Sequence, residues 1–406
     1  MLTCDKKRME EKIFAFSEFG DTGSGGVTRF ALSEEDLQAR AEFVRRMKAL
    51  GAEIRIDDMA NMYATIKGSQ DLPAIAMASH MDSVRNGGNY DGVLGILTGM
   101  EVAETIVTEH IPHRHPITVM IWTNEEGSLY PPAMMSSGVV CGKFKKEAML
   151  ASRNPQGETF GEALKESGYE GDEKNRLNAK DYEAMLELHI EQGPVLESEG
   201  KDIGAVEGVV GMVNYRIRTY GQAEHGGTTP MNRRQDALVA AMSAIRYLHE
   251  KLDQLDEHLV YTNGEILCHP CIHTVIPDYV DFSLDARHKD PEVIRQVVDV
   301  IENMPKTFDN CKVKYELQWA RDTVHFDPEL IGFVEHNAEE YGYSSMRIYS
   351  GAGHDAQFSA YLLPTTMIFV PSKNGHSHCE EEFTSVEACW KGANVMLQTI
   401  LAVDGK

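Results

Sequence analysis

Two short apolar runs in the first half of the chain, residues 74–78 and 117–122, each lead directly into polar residues. Short apolar runs bounded by polar residues are typical of buried strands in an α/β sheet. The chemistry-bearing residues that follow the two runs are a histidine and carboxylic acids: His80, Asp82, Glu125 and Glu126. Because open α/β sheets place their sites beyond the carboxyl ends of the strands, the pattern predicts that these side chains share one crevice.

A different pattern begins after Gly208 and ends near residue 327. It predicts, in order, strand, helix, two strands, helix and strand, at residues 212–220, 234–255, 265–274, 280–287, 291–304 and 312–321. The order βαββαβ is the ferredoxin-like arrangement. Buried-strand patterns then return at residues 342–357 and 365–370. We therefore expect an α/β catalytic domain with a mixed sheet (residues 1–210 and 328–406), interrupted by an inserted α+β domain (residues 211–327).

Composition narrows the class of protein. The chain has 406 residues, a formal net charge of −24 and a pI of about 5.1, which argues against nucleic acid or an anionic membrane as the main partner. No apolar run approaches the length of a membrane span, and the N-terminus lacks the apolar segment of a signal peptide. Seven scattered cysteines fit reduced thiols better than a disulfide framework. These features predict a cytoplasmic protein.

The residues at the two strand ends have the chemistry of a metal site, since histidine and carboxylate ligands are typical of Zn²⁺ and Mn²⁺. In an extended backbone His80 and Asp82 lie on the same side, so Asp82 is expected to orient His80. Asp91, which follows a glycine-rich loop, could bridge two ions. Glu125 and Glu126 should point apart, so that one binds metal while the other acts as a general base. Either motif alone is more often a surface turn or a solvated face; their position after buried strands favours a site.

Two further histidines follow apolar segments. His189 comes after residues 186–188, and His378 follows residues 367–370 and a short polar segment. A lone histidine is more often a satisfied core or surface group than a ligand. The strand-end position of both favours ligation.

Motifs over nearly the whole chain resemble the amidase/hydantoinase/carbamoylase branch of the M20 dinuclear metallopeptidase superfamily, which includes N-carbamoyl-L-amino acid hydrolases, β-ureidopropionases and allantoate amidohydrolases. The matching motifs occur in the order of the family: SHMDSVRNGGNYDGVLG from Ser79, TNEEG from Thr123, ELHIEQGPVLE from Glu187, AEHGGTTPMNRRQDA from Ala223, LDARH from Leu284, SGAGHDA from Ser350 and MIFVPSKNGHSH from Met367.

The resemblance implies two divalent ions per chain, Zn²⁺ or Mn²⁺, with Co²⁺ or Ni²⁺ also possible. It assigns one ion to His80, Asp91 and His189 and the other to Asp91, Glu126 and His378, so that Asp91 bridges. It also implies a cis peptide bond between Asp91 and Gly92.

The catalytic roles implied by the resemblance fall on both domains. Glu125 is the general base, and His225 supplies the hydrogen-bond donor for the oxyanion of the tetrahedral intermediate. His225 lies on the inserted domain, which in related enzymes also forms the dimer interface. We therefore expect a homodimer in which the inserted domain closes over the site, or in which a partner subunit supplies the histidine.

The resemblance also implies which residues bind substrate. Arg287 matches an arginine that grips a substrate carboxylate, and a guanidinium suits that bidentate pairing, although a surface ion pair is the commoner role. The other candidate contacts are Gln192, Gly351, Gly353 and His354, of which the last could equally be structural.

Two positions depart from the pattern of the family, and both concern substrate binding. Thr274 stands where an asparagine usually helps to hold the substrate carboxylate, and it lacks the paired donor and acceptor of an amide. His376 stands where the family has isoleucine, and it adds a titratable group beside the metal ligands.

The sequence also contains a CxxC spacing at Cys268 and Cys271. No second cysteine pair follows it, so a strand of the inserted domain is favoured over a zinc site.

These features predict a metal-dependent hydrolase that acts on a small, carboxylate-bearing ureide. An N-carbamoyl L-amino acid is the first candidate substrate, and allantoate and an N-acyl or peptide amide are alternatives. A non-catalytic binding protein of the same fold is also conceivable, but it would be expected to have lost Glu125 or a metal ligand.

Overall fold

The structure is a computed structural model that describes residues 1–405. Contacts between Cα atoms divide the chain into two compact units, one formed by Met1–Gly208 together with the chain from His325 onward, and the other by Val209–Val324. The domain boundaries predicted from the sequence are 210/211 and 327/328. Each unit is described by itself.

The first 208 residues contain seven α-helices and six strands. The helices are α1 (Lys6–Ser17), α2 (Glu34–Ala49), α3 (Val93–Thr108), α4 (Met135–Val140), α5 (Lys146–Leu150), α6 (Phe160–Ser167) and α7 (Val195–Ser198). The strands are β1 (Glu53–Ile56), β2 (Met62–Ile66), β3 (Ala74–His80), β4 (Ile117–Trp122), β5 (Tyr182–Ile190) and β6 (Ile203–Val209).

The second unit contains six strands and two α-helices. In chain order they are β7 (Gly211–Tyr220), α8 (Ala237–Leu252), β8 (Val260–Thr262), β9 (Ile266–His269), β10 (Tyr279–His288), α9 (Pro291–Glu302), β11 (Thr307–Phe308) and β12 (Cys311–Arg321). The chain then continues through β13 (Val324–His325), α10 (Pro328–Glu340), β14 (Ser345–Ser350), α11 (Ala356–Ser359), β15 (Thr365–Val370) and α12 (Val386–Asp404).

The first unit is built on a nine-stranded mixed sheet in the order β1-β2-β4-β3-β5-β15-β6-β13, with β14 also paired to β6. The four central strands, β4, β3, β5 and β15, are mutually parallel, and antiparallel strands flank them on both sides. Both apolar runs identified in the sequence are strands of this parallel set and are buried along their whole length. The four strands therefore end at one edge of the sheet.

The second unit is an antiparallel sheet in the order β11-β12-β7-β10-β8, with β9 also paired to β10. Apolar side chains of α8 and α9 pack with those of the sheet in a common core. The predicted strand at residues 265–274 is wrong in its second half. The strand ends at His269, and Cys271 adopts a positive φ of 58°, a backbone conformation that breaks an extended run.

Two further predictions from the sequence concern a strand near the C-terminus and membrane-spanning segments. The strand predicted within residues 342–357 is confirmed only for Ser345–Ser350, since the chain then turns into α11. Among the helices of residues 1–405, none combines the length and the apolar character that crossing a bilayer would need.

Helix α2 shows how local sequence and packing agree. Ser33 caps its N-terminus by accepting a hydrogen bond from the Asp36 backbone N–H, and Ala39, Phe43 and Met47, four residues apart, are fully buried. This spacing places them on one helix face.

The buried Phe43 and the exposed Phe14 form a matched pair for testing this packing, since their side chains are 0% and 63% exposed. We expect Phe43→Ala to lower the free energy of unfolding by about 3–5 kcal/mol, because it removes a buried aromatic ring and leaves a cavity. Phe14→Ala should change it by less than about 0.5 kcal/mol. Urea denaturation followed by circular dichroism measures both; equal effects would contradict the assigned packing.

Candidate metal centre

His80 is the last residue of strand β3. One of its ring nitrogens bonds to the backbone, and the other faces the crevice. Its Nδ1 is 2.9 Å from the carbonyl oxygen of Asp82, so Nδ1 carries the proton and Nε2 is the free acceptor. That Nε2 lies 3.6 Å from Asp91 Oδ1 and 3.7 Å from Glu125 Oε2. The ring is thereby set in the tautomer that can bind a cation.

The Asp82 carboxylate does not hold His80, contrary to the expectation from the sequence; it is 3.9 Å from the imidazole. Its two oxygens instead accept hydrogen bonds from the backbone N–H groups of Glu125 and Glu126, at 3.2 and 3.1 Å. Strand β3 ends at His80, so Asp82 lies beyond the strand. Asp82 thus fixes the peptide that carries both glutamates, and it orients His80 through its carbonyl.

Strand β5 delivers His189 to the same edge. Its Nδ1 lies 2.9 Å from the Ile190 carbonyl oxygen, and its Nε2 accepts a hydrogen bond from the Gly92 N–H. The Nε2 atom is 3.2 Å from Asp91 Oδ1. His80 and His189 therefore both direct Nε2 at the same carboxylate oxygen.

The other oxygen of Asp91 faces a second pair of side chains. Asp91 Oδ2 is 3.4 Å from His378 Nε2, which is in turn 3.5 Å from Glu126 Oε2. Glu126 Oε1 is buried and has no hydrogen-bond partner among the described residues. The structure thus brings together the two sets of residues that the resemblance implies, with Asp91 common to both.

These separations fit metal coordination. Bonds of about 2.0–2.1 Å to Zn²⁺ place the ligand atoms of a tetrahedral shell about 3.3–3.4 Å apart, and the histidine-to-Asp91 distances are 3.2, 3.4 and 3.6 Å. An acceptor nitrogen and a carboxylate oxygen at this spacing gain from a shared cation. The unpartnered Glu126 oxygen is a further donor atom for such an ion.

The pKa values of the residues in the crevice also indicate a site that favours cations. Burial raises the pKa of Glu125 well above its ordinary value, although His80 opposes this, and burial together with Asp91 raises the pKa of Glu126 to about 7. Burial would also raise the pKa of Asp91, but His189 and the other histidines hold it well below its usual range. The hydrogen bond to Asp91 raises the pKa of His378 to about 9. The crevice therefore favours positive charge.

Gly92 makes the close approach of Asp91 to the histidines possible. Its φ is +65°, and a Cβ atom at this position would lie 2.2 Å from the His80 ring, so no other residue fits without moving the imidazole. The expected cis peptide between Asp91 and Gly92 is not found; the cis bonds of residues 1–405 are Pro131–Pro132 and His269–Pro270. The positive φ of Gly92 turns the chain into α3 instead.

The predicted substrate contacts of the first unit differ in burial and in distance from Asp91. Gln192 lies at the centre, with its Nε2 donating to Asp91 Oδ2 at 2.7 Å. His376 and Gly351 are exposed, and Gly353 is half-buried. His354 is buried, pairs its Nε2 with Ser350 Oγ at 2.8 Å, and packs edge-on against the His189 ring. That position supports the orientation of His189 more directly than it supports contact with substrate.

The predicted residues of the second unit lie on its surface. His225 is exposed, and its Nδ1 accepts a hydrogen bond from the Gly227 N–H at 3.0 Å. Thr274 is its neighbour, since the Gly226 N–H donates to the Thr274 carbonyl at 2.8 Å. Arg287, on β10, pairs with Asp285 at 2.7 Å.

Sequence reasoning missed several polar residues around the centre: the buried Ser79, Glu187, Asp355 and Glu382, and the half-buried Ser377. Glu382 lies in the run Glu380-Glu381-Glu382, which has the composition of a solvated loop. Its burial is evident only in the folded structure, where it accepts hydrogen bonds from the backbone of Tyr90 and Asp91.

Comparisons with known proteins show the family of the chain. The model of peptidase family M20/M25/M40 matches residues 76–402. The chain is 35% identical over 398 residues to an N-carbamoyl-L-amino-acid amidohydrolase of Rhizobium meliloti, covering 97% of this chain and 95% of the relative. It is 32% identical over 400 residues to the allantoate amidohydrolase of Escherichia coli, covering 98% and 97%.

A solved structure is similar over the full length. The crystal structure of an amidase of the hydantoinase/carbamoylase family from Burkholderia multivorans is 37% identical, with a TM-score of 0.91 and coverage of 100% of this chain and 99% of that one. Sequence and structure together show that this chain belongs to peptidase family M20/M25/M40 and is a hydrolase of C–N amide bonds.

Proposed function

We propose that the protein is a metal-dependent amidohydrolase that cleaves the ureido C–N bond of an N-carbamoyl L-amino acid or a similar ureide. Hydrolysis of such a bond releases the amine, CO₂ and ammonia. The observation that carries the proposal is the pair of ligand sets that share Asp91. The curated relatives named for N-carbamoyl-L-amino acids and for allantoate support the substrate class.

The proposed centre holds two divalent cations. His80, Asp91 and His189 would hold one, and Asp91, Glu126 and His378 would hold the other. Such cations, when bound, supply positive charge that polarises the scissile carbonyl and acidifies water. Histidine with carboxylate favours Zn²⁺ or Mn²⁺, and Co²⁺ or Ni²⁺ suits the same donor set.

Glu125 is the proposed general base. Its carboxylate is 3.7 Å from His80 Nε2, so it lies beside the proposed centre, and Asp82 fixes its backbone. In this position Glu125 would take a proton from the attacking water and later give it to the leaving nitrogen. Its burial keeps competing solvent away from the proton.

The second unit is proposed to act as a ferredoxin-like lid and dimerisation domain. Its strand order β12-β7-β10-β8 is that of four antiparallel strands in a βαββαβ chain, which supports this assignment. His225 would donate a hydrogen bond to the oxyanion. Arg287 would bind the substrate carboxylate, with Thr274 and Gln192 as further contacts.

Allantoate amidohydrolase is the second candidate, because relatives of comparable identity carry that name. Ammonia release from N-carbamoyl L-amino acids and from allantoate, and acetate release from N-acetyl L-amino acids, measured on protein loaded with Mn²⁺, Zn²⁺ or Co²⁺, distinguish the candidates. A protein inert towards all three classes would overturn the proposal.

Metal removal gives the first prediction. We expect chelation followed by dialysis to abolish ammonia release, and added Mn²⁺, Zn²⁺ or Co²⁺ to restore it. The metal should also raise the unfolding temperature, since a ligand at 1,000 times its Kd stabilises the native state by about 4 kcal/mol. Activity that survives chelation, with no metal in the protein by elemental analysis, would contradict the metal centre.

Substitution of the general base gives the second prediction. We expect Glu125→Gln to lower kcat by about 10²–10⁴-fold, the usual contribution of general acid–base catalysis, while metal content stays as in the wild type. Glu381→Gln, at an exposed glutamate, is the control. A Glu125→Gln variant with near-normal kcat would assign the proton transfer to another residue.

The third prediction concerns His225. We expect His225→Ala to lower kcat by about 10²–10³-fold, as loss of an oxyanion donor does, with His258→Ala at another exposed histidine of the same unit as control. Mixing the inactive Glu125→Gln and His225→Ala proteins under subunit exchange tests the source of the histidine. Recovered activity means that it comes from the partner subunit of a two-fold dimer, and no recovery means that it acts within its own chain.

A further inference from the structure

Glu382 is a buried carboxylate that the proposed chemistry does not use. Its side chain is 4% exposed, and its Oε1 accepts hydrogen bonds from the backbone N–H groups of Tyr90 and Asp91, both at 2.9 Å. One carboxylate oxygen thus fixes the peptide that carries Asp91.

The second oxygen of Glu382 reaches the side chain of the same aspartate through Ser377. The Ser377 hydroxyl is 2.7 Å from Asp91 Oδ2 and 3.3 Å from Glu382 Oε2, so it is shared between the two carboxylates. Because Ser377 immediately precedes His378, the contact also ties the histidine loop to the aspartate loop. Both the backbone and the side chain of Asp91 are therefore set from one acidic residue.

Gly88 leaves the space that the Glu382 side chain occupies. A Cβ atom at Gly88 would lie 2.2 Å from Cδ and Oε1 of Glu382 and 2.3 Å from its Cβ. The last of these is close to the backbone and cannot swing away. The glycine is therefore required by the position of the Glu382 side chain.

We propose that Glu382 is a positioning residue that holds Asp91 between the two ligand sets. This inference rests on the proposed metal centre. Glu382 is not itself a member of any ligand group among residues 1–405, since its oxygens already accept from backbone and hydroxyl donors. Its effect on metal binding is exerted through Asp91, by fixing which oxygen faces each pair of partners.

The experiment measures Mn²⁺ affinity and stoichiometry by calorimetry on metal-free protein. We expect Glu382→Ala to bind Mn²⁺ about 10–100-fold more weakly than wild type, the usual effect of losing a residue that orients a metal ligand. Glu382→Gln should lose less than about 10-fold, because its amide oxygen still accepts from both N–H groups. Glu381→Ala, at the adjacent exposed glutamate, should bind as wild type.

Gly88→Ala provides an independent test that leaves Glu382 in the sequence. It should weaken Mn²⁺ binding by displacing the carboxylate, and in the Glu382→Gly background it should add much less, since the side-chain atoms that its Cβ would meet are gone. The absorption spectrum of the Co²⁺-loaded protein gives a second readout. Glu382→Ala should alter it at saturating Co²⁺, whereas Glu381→Ala should not.

The outcomes separate this inference from the proposed function. If wild-type protein binds no metal, the proposed centre fails. If wild type binds metal and Glu382→Ala binds it equally well with an unchanged Co²⁺ spectrum, only the positioning role fails. A Glu382→Gln variant as damaged as Glu382→Ala would also overturn that role, because hydrogen-bond geometry would then not be the cause. Should Glu382→Ala fail to fold by circular dichroism, Glu382→Gln and Gly88→Ala decide.

Discussion

The crowding of carboxylates around Asp91 is the constraint on which the rest of the site depends. Its two oxygens lie 3.2–3.6 Å from three histidine nitrogens, and the acids Glu125 and Glu126 are buried in the same crevice. Like charges repel strongly where solvent is excluded. Such an arrangement is stable only when positive charge, as protons or as metal ions, is shared among these groups.

The fold brings these groups together by ending four parallel strands at one edge. Strands β4, β3, β5 and β15 are neighbours in the sheet, and the residues that follow or end them come from positions more than 250 residues apart in the chain. A parallel arrangement makes this convergence automatic, because all four carboxyl ends face the same way. The site is thus a property of the strand order.

The buried acids divide into two kinds according to what their oxygens meet. Asp82 and Glu382 accept hydrogen bonds from backbone N–H groups and so fix the peptides that carry Glu125, Glu126 and Asp91. The latter three direct their oxygens at histidines instead. This division explains how a cluster of like-charged groups can be rigid: two of the acids hold the other three in place.

The sequence by itself determined most of the strands around the site and the kinds of residue at their ends, because apolar runs and their period are local properties of the chain. It predicted β3, β4 and β15 and the positions of His80, His189 and His378. It was wrong about the Asp82 side chain and about residues 271–274, where the chain leaves the extended conformation. Only the tertiary structure decided which acid accepts from which amide, and that Glu382 in an acidic run is buried. Hydrogen-bond partners are set by packing between distant segments, which periodicity does not report.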